Sequence, residues 1–417
     1  MIYPSKISEI IFCFPYKGVG GVSNQFLRIA EKIASSKTFK VSIVDYEDGF
    51  MAKHRTENVN LIKYDDFSTV LLSKQAIIVF QAMTPWSIFP SLNINEDSKI
   101  LFWHCHPRNL MPSIPILNVD PNSYFYKLIN YTFLYSYYKK LKKFHRLLIE
   151  NNALIYIDGV NVDSTNIFLK VVDQNRKIIP IPVCTPNAIT PQEYMNGKLK
   201  KIKLCWIGRI VDFKYHILWY TLKKLDEVSS NFNILFEIDI IGNGEYLDIL
   251  KNNTLSIRKI KINFIGELDP NDISDYLQNE PDAMLAMGTS AVEGACIGLP
   301  VILLNFSYHS INNDYIFEFL HRNNKEASVG ELISAKHFQK NNTSLQNCIY
   351  EIINNYQTLA IESKIYAKSI HSIDNIADMF LEHIEKVTLN WGILKKNKVL
   401  TQGFLYSAKK LLGRIQK

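Results

Sequence analysis

The sequence lacks the cysteine patterns of disulfide-rich or zinc-binding domains. None of its six cysteines stands at Cys-x-x-Cys spacing from another, and most lie in apolar runs typical of strands. This usage argues against a disulfide or zinc framework and predicts a reducing compartment. The chain also has no Asp-x-Asp motif, so a common arrangement for binding a divalent cation is missing.

Long apolar runs are missing as well. No stretch of the 417 residues approaches the roughly 20 apolar residues of a membrane-spanning helix. The short apolar run Glu9–Phe14 is followed by no small-residue cleavage site, which predicts a first strand rather than a signal peptide. Hydrophobic residues make up 47% of the chain and charged residues 21%, as expected for a globular protein of two or three domains.

Acidic residues are absent from residues 391–417, which carry seven Lys and Arg residues and therefore the whole net charge of +7. Apolar residues of Phe404–Ile415 recur at helical spacing, which predicts a basic amphipathic helix at an anionic membrane surface. A helix packed on the first domain and a frayed tail are the alternatives. Nucleic acid is a poor partner for these cations, because no recognised binding module accompanies them.

A second basic segment, residues 124–148, mixes aromatic and aliphatic residues with Lys and Arg, and no acid stands between the basic residues. Such a segment is typical of a helix that lies in a membrane interface. It is equally compatible with a basic helix that docks on its domain and exposes one solvated face. The sequence leaves both interpretations open.

The N-terminal half alternates apolar strands with amphipathic helices, which predicts a parallel, doubly wound sheet. Its strands are predicted at Glu9–Phe14, Val41–Val44, Ala76–Phe80, Lys99–His104, Ala153–Asp158 and Ile178–Val183. A glycine-rich turn with Gly20 and Gly21 joins the first strand to a helix over Ser23–Ser35, and the start of that helix suits an anion.

Two histidines, His104 and His106, follow the strand that starts at Lys99. Ligands of open α/β sheets bind at the carboxyl ends of strands, so both histidines are candidates for a site. The alternative for each is a histidine that packs in the core or caps a helix. A metal site is a weak interpretation, because no third ligand cluster accompanies the pair.

The C-terminal half repeats the alternation after a linker marked by Pro180, Pro182 and Pro186. Strands are predicted at Leu204–Ile207, Phe236–Ile241, Ile262–Ile265, Ala283–Met287 and Val301–Asn305. The predicted organisation is a first domain over residues 1–186, a second doubly wound domain over residues 187–380, and a returning helix with a basic tail over residues 381–417. Two such domains would face each other across a cleft.

The strand ends of the second domain carry the most informative residues. Arg209 and Lys214 follow its first strand, and two cations there could hold a diphosphate against a helix N-terminus. That helix follows Gly288, with Thr289 or Ser290 as its predicted cap. Taken alone, Arg209 or Lys214 could equally be a basic residue on the surface. Glu293, in the helix after Gly288, is either a solvated acid or a ligand for hydroxyl groups.

The order and spacing of four segments resemble the retaining glycosyltransferases of family four, which have the GT-B fold. These segments are Arg209-x4-Lys214, the turn Gly242-Asn243-Gly244-Glu245, Asn263–Gly266, and Glu293-Gly-Ala-x-x-Gly298-x-Pro300-Val301. The glycine turn near the start of the chain and the position of His106 match as well. The resemblance spans nearly the whole chain and is most specific over Leu204–Ile302.

The resemblance implies a role for each matched residue. Arg209 and Lys214 would hold the diphosphate of the donor and stabilise the leaving group, and His106 would lie near the reacting sugar. The other implied donor contacts are Gly20, Gly21, Gly242, Asn243, Gly288, Thr289, Ser290 and Glu293, the last on the nucleotide ribose. No cofactor and no metal are expected beside the nucleotide sugar.

One position departs from the family. An earlier glutamate of the family motif would fall on Leu285, inside a strand, where no carboxylate is present. The loop is shorter, as in polysaccharide-type members whose motif resembles Met-Gly-Thr-Ser-Ala-Leu-Glu-Gly.

The expected function is transfer of a sugar from a nucleotide sugar to a glycan or lipid-linked acceptor, with retention, in surface polysaccharide or lipopolysaccharide synthesis. The expected location is the cytoplasm, peripheral at the inner face of the membrane. A non-catalytic GT-B scaffold or regulatory subunit is the main alternative, and epimerisation of a sugar nucleotide is a third.

Overall fold

A computed structural model describes residues 7–18, 20–89, 91–112, 123–174, 176–183, 201–323 and 326–401. The chain divides into two compact units, Met1–Pro182 with Ile373–Lys417, and Val183–Ser372. The sequence placed these boundaries at residues 186 and 380.

The first unit is built on parallel strands. In its described residues the strands are β1 (Glu9–Cys13), β2 (Lys40–Asp45), β3 (Asn60–Lys63), β4 (Val70–Leu71), β5 (Ala76–Gln81), β6 (Leu92–Asn93), β7 (Lys99–His104), β8 (Leu154–Tyr156) and β9 (Lys177–Ile178). Seven of them form one sheet in the order β3-β2-β1-β5-β7-β8-β9, and β4 pairs with β6. The helices up to β9 are α1 (Gly21–Ser35), α2 (Phe50–His54), α3 (Tyr124–Tyr131), α4 (Tyr135–Glu150) and α5 (Gly159–Leu169).

The second unit repeats this plan. Its strands are β10 (Lys201–Ile207), β11 (Leu235–Ile241), β12 (Ile260–Gly266), β13 (Ala283–Ala286), β14 (Val301–Leu303) and β15 (Glu318–Phe319). They are ordered β12-β11-β10-β13-β14-β15, all parallel except β15. The helices are α6 (Asp212–Ser229), α7 (Leu247–Thr254), α8 (Pro270–Asn279), α9 (Thr289–Ile297) and α10 (Ser344–His371).

After α10 the chain returns to the first unit as α11 (Ile373–Lys386) and α12 (Trp391–Lys396). Phe380 of α11 is fully buried, with ring centroids 5.6 Å from Phe12 on β1 and 5.5 Å from Trp103 on β7. These stacked rings cover apolar surface of the first sheet, which explains why the returning segment begins at Ile373 rather than at residue 381. The predicted helix over Phe404–Ile415 lies outside the described residues.

Buried apolar runs explain why the strands were predictable. All five residues of β1 are buried, as parallel strands covered on both faces require. The predicted strand Ile178–Val183 is wrong beyond Ile178, because Pro180 and Pro182 supply no N–H for a ladder. The basic segment forms two helices instead of one, since Thr132 leaves the helical conformation at φ −120° and ψ −84°.

Two features of the described residues bear on the sequence expectations. Their five cysteines, at positions 13, 105, 205, 296 and 348, are free thiols. Within the same ranges, no helix combines the length and the apolar character that crossing a bilayer would need.

Candidate functional site

Each sheet changes winding direction at one pair of neighbouring strands. In the second unit the chain moves from β10 to β11 and β12 on one side, and then to β13 and β14 on the other. In the first unit the corresponding change lies between β1 and β5. Ligands of doubly wound sheets bind outside the carboxyl ends of the strands at such a change, so these two edges are where a site is expected.

The loop that carries Arg209 is held by backbone hydrogen bonds that extend the β10–β11 ladder. Gly208 N–H donates to the carbonyl of Ile241 at 3.0 Å, and Ile210 N–H donates to the carbonyl of Asn243 at 2.9 Å. Gly242 has φ +130°, and a Cβ atom at this position would overlap the carbonyl oxygen of Gly208. Only glycine permits this approach, so the turn at Gly242 and Asn243 fixes the position of the Arg209 loop.

Lys214 lies in the first turn of α6, next to the Arg209 loop. Its side chain is half-buried, and its Nζ atom lies 3.2 Å from where a Cβ atom on Gly208 would be. Burial and the positive charge of Arg209 together lower the pKa of Lys214 to about 8. The charges of Lys214 and Arg209 therefore lie close enough to affect each other, and a bound anion would favour the ammonium form of Lys214.

Helix α9 begins at the carboxyl end of β13, beside β10 in the sheet. The prediction that Thr289 or Ser290 caps it is wrong: Gly288 is the N-cap residue, with φ +68°. No side chain of the described residues caps this end, and Ser290 Oγ instead donates to the carbonyl of Met287 at 3.1 Å. With no acid in its first turn, the helix presents backbone N–H groups and the positive end of its dipole at the edge.

The single carboxylate on α9 is Glu293, which is half-buried one turn into the helix. The next residue, Gly294, faces β13, and a Cβ atom there would lie 2.7 Å from the sulfur of Met284. Leu285 is fully buried in the core of the second unit and pairs with Ile302 of β14. As expected from the sequence, the side chain at position 285 lies inside the core and does not reach the carboxyl ends of the strands.

In the first unit, Gly20 and Gly21 lie where α1 begins, at the carboxyl end of β1. Gly20 is the N-cap residue in an extended conformation, and no described side chain caps α1. Ser23 Oγ donates back to the carbonyl of Gly20 at 2.9 Å. The first turn contains no acid, so this helix end also suits an anion.

His106 sits in a turn after β7 that is held by Asn109. The Oδ1 atom of Asn109 accepts from the N–H groups of Cys105 at 3.0 Å and His106 at 2.9 Å. The His106 Nδ1 atom accepts from the N–H of Arg108 at 3.1 Å. Burial and the positive charge of Arg108 lower the pKa of His106 to about 4. The ring is neutral at pH 7 with its hydrogen on Nε2, so it can donate a hydrogen bond.

His104 is a packed histidine. It is fully buried, its Nδ1 atom lies 3.2 Å from Asn161 Oδ1, and its Nε2 atom lies 3.1 Å from the hydroxyl of Thr165. Asn161 Nδ2 donates to Asp158 at 2.6 Å, and Asp158 also caps α5 through the N–H of Asn161. Burial, above all, lowers the pKa of His104 to about 3 and raises that of Asp158 to about 6. The sequence placed Asp158 only at the end of a predicted strand and missed this network.

The described residues contain no group of three or more His, Cys, Asp and Glu side chains arranged to hold a metal ion. In the second unit, Arg209 and Lys214 follow β10, and α9 begins after β13, the neighbouring strand of the sheet. The first unit, taken by itself, has a helix N-terminus after Gly20.

No family model and no curated protein matches the sequence. Solved structures do match the fold. A glycosyltransferase from Rickettsia africae ESF-5 has 13% identity and a TM-score of 0.54, over 91% of this chain and 99% of that chain. WaaG, a glycosyltransferase involved in lipopolysaccharide biosynthesis, has 13% identity and a TM-score of 0.52, over 89% and 99%. The pneumococcal O-GlcNAc transferase GtfA, in complex with UDP and GlcNAc, has 12% identity and a TM-score of 0.52, over 91% and 99%. The predicted fold class is confirmed: the chain has two Rossmann-like α/β sheets and shares the GT-B fold of these proteins.

Proposed function

We propose that the protein is a glycosyltransferase that moves a sugar from a nucleotide-sugar donor to a glycan or lipid-linked acceptor, with retention at the anomeric carbon. The observation that supports this most is the position of Arg209 and Lys214 after β10, at the winding change of the second sheet, where the neighbouring strand β13 leads into α9. The activities named for the structural neighbours agree with it. The lipopolysaccharide role of WaaG favours surface polysaccharide or lipopolysaccharide synthesis for this chain as well.

The proposed chemistry follows from charge. Transfer forms a bond between the acceptor hydroxyl oxygen and the anomeric carbon and breaks the bond from that carbon to the donor phosphate. Negative charge grows on the departing nucleoside diphosphate, and the hydroxyl proton is released with it. The guanidinium of Arg209 can bind two phosphate oxygens at once, and the ammonium of Lys214 adds a point charge. The first-turn N–H groups of α9 add partial positive charge. Together these groups would stabilise the leaving group without a metal ion.

The remaining site residues have supporting roles in this proposal. Glu293 binds the hydroxyl groups of the nucleotide ribose, and the backbone of Gly288, Thr289 and Ser290 contacts phosphate and sugar. Gly242 and Asn243 act by holding the Arg209 loop. In the first unit, Gly20, Gly21 and His106 stay predicted donor-binding and catalytic residues, and His106 would act as a neutral hydrogen-bond donor.

A thermal-shift screen over UDP-, GDP- and ADP-sugars tests donor binding. A donor present at 100 times its Kd stabilises the folded protein by about 2.7 kcal/mol. We expect a stabilising shift with one of these donors, and its loss in Arg209→Ala and Lys214→Ala. Lys259→Ala, an exposed lysine of the same unit, is the matched control and keeps the shift. Absence of a shift with every donor would contradict the proposal.

Turnover separates the proposal from its alternative, a non-catalytic scaffold. We expect release of the nucleoside diphosphate when a lipid-linked glycan fraction is added to the protein and the donor that stabilises it. The rate of release should be unchanged in excess EDTA. Binding without release, with any acceptor, would favour the scaffold, for which the apolar side chain of Leu285 is the supporting observation. An isomerised donor without acceptor would indicate epimerisation.

For the acceptor side we propose a peripheral position at the inner face of an anionic membrane. The support is the charge of residues 124–148 and of residues 391–417. Lipid-linked acceptors lie at such a surface, and basic segments are attracted to it electrostatically.

A further inference from the structure

A cavity of about 610 Å³ lies in the first unit between α4 and residues 171–174. Four cations line it from one helix: Lys139, Lys142, Lys143 and Arg146. Their spacing of three, four and seven residues puts all four on one face of α4. The cavity contains none of the residues assigned to donor binding, so it is a separate site.

Two of the lysines are held in place by neutral acceptors. Lys142 Nζ donates to the carbonyl of Lys170 at 3.4 Å, and Lys143 Nζ donates to the carbonyl of Asn397 at 3.0 Å. Carbonyl groups orient an ammonium but do not cancel its charge. The contacts therefore fix the two lysines at the cavity and leave their charges available to an anion.

The acids near the cavity compensate its charge poorly. Arg146 lies 3.8 Å from Glu150, but both side chains are more than half exposed, and such pairs contribute little. Asp173, which also lines the cavity, is buried and accepts from the hydroxyl of Tyr156 at 3.4 Å. Four cations and one carboxylate thus line the cavity, and that carboxylate, Asp173, is hydrogen-bonded to a buried hydroxyl.

Exposed apolar side chains lie at the cavity and just before α4, the helix that supplies its cations. Val172, which lines it, is 81% exposed, and Phe133 in the turn before α4 is 88% exposed. Tyr135 is the first residue of α4, and the centroid of its ring lies 4.7 Å from the ammonium of Lys139. Large apolar residues at this exposure beside cations are typical of a surface that enters a lipid interface.

We propose that the cavity binds the phosphate of an anionic phospholipid headgroup, with Phe133, Tyr135 and Val172 inserted at the level of the headgroups. The cations match a phosphate in charge, and the adjoining apolar residues select a lipid over a free ion. The site deepens the proposed membrane position, and it does not depend on sugar transfer. It would orient the first unit towards the surface on which a lipid-linked acceptor lies.

Sedimentation with vesicles tests the site in the full-length protein. The vesicles contain phosphatidylcholine alone or with phosphatidylglycerol, and a third arm adds millimolar inorganic phosphate to the anionic vesicles. The variant Lys139→Gln/Lys142→Gln/Arg146→Gln is compared with Lys259→Gln/Lys340→Gln/Lys368→Gln, which removes equal charge from exposed sites of the second unit. Both variants keep the basic residues after residue 396, so their difference reports the cavity alone.

We expect binding to the anionic vesicles that inorganic phosphate does not displace. Each removed cation should weaken it about fivefold, so the cavity variant loses on the order of 100-fold. The matched control should lose far less. Equal losses in both variants, no binding by the unmodified protein, or displacement by inorganic phosphate would each overturn the proposal.

The donor thermal shift separates this result from the sugar-transfer proposal. The cavity variant should keep both its melting temperature and its donor shift, because α4 lies outside the donor site. A cavity variant that loses vesicle binding and keeps the donor shift supports the lipid site independently of catalysis. Phe133→Ser, at an exposed position, should weaken binding to anionic vesicles without changing the net charge, and unchanged binding would refute the apolar contribution.

Discussion

Donor affinity should depend on the protonation of Lys214. Burial and Arg209 lower its pKa to about 8 in the unliganded protein, so the ammonium form is lost between pH 7 and pH 9. A bound diphosphate favours the ammonium form and returns the pKa towards its ordinary value of about 10.4. Binding then takes up a proton above pH 8. With these two values, affinity at pH 9 is roughly tenfold lower than at pH 7, or about 1.4 kcal/mol.

Isothermal titration with UDP, GDP and ADP across pH 7 to 9 measures this dependence on whichever nucleotide binds. Lys214→Arg keeps the cation at every pH tested and should flatten the profile, and Lys214→Met should bind weakly at all pH values. The Arg variant also controls for titration of the nucleotide itself. A flat profile in the unmodified protein, or the same slope in the Arg variant, would refute this account of the site.

Three further substitutions probe the surrounding structure, each by thermal unfolding. Gly242→Ala should lower the melting temperature and the donor shift more than Gly266→Ala, because both have positive φ but only Gly242 would overlap another backbone atom; equal effects would reduce the role of Gly242 to conformational strain. Leu285→Ala should cost about 2–5 kcal/mol, and Leu285→Glu more, because it buries an unpaired charge; a tolerated glutamate would mean that position 285 can face the site. Asn161→Ala should cost about 1–3 kcal/mol by leaving His104 short of a hydrogen bond, and an unchanged melting temperature would contradict that.

Much of the fold could be predicted because its strands are short apolar runs with a helix between them. The first and last residues of each strand were harder to predict, because a sheet extends through backbone hydrogen bonds that do not depend on the type of side chain. For example, β10 begins with Lys201, Ile202 and Lys203, of which two are charged, yet all three pair with β11. The sequence predicted a returning helix from residue 381, whereas the returning segment begins at Ile373. The contact of Phe380 with Phe12 joins residues far apart in the sequence, so no local pattern signals it.

The sequence located the residues of the candidate site more readily than the contacts that hold them in place. Arg209 and Lys214 could be found by their place after a strand. The sequence preference for Thr or Ser at an N-cap misled the prediction for α9, because the backbone there needs the positive φ that Gly288 permits. The contacts of His104 with Asn161 and Thr165 span 57 and 61 positions, which no local pattern reveals.

Lys203 and Lys214, both in the second unit, differ in their electrostatic surroundings. Although burial opposes it, hydrogen bonds to Glu280 and Asp239 raise the pKa of Lys203 on β10. Lys201, followed by Lys261, lowers the pKa of Glu237 to about 2, so charges along the strands are mutually compensated. After the carboxyl end of β10 the pKa shift has the opposite direction, because burial and the positive charge of Arg209 lower the pKa of Lys214. A diphosphate bound beside Lys214 would favour its ammonium form, so the proposed donor site predicts that nucleotide binding raises this pKa.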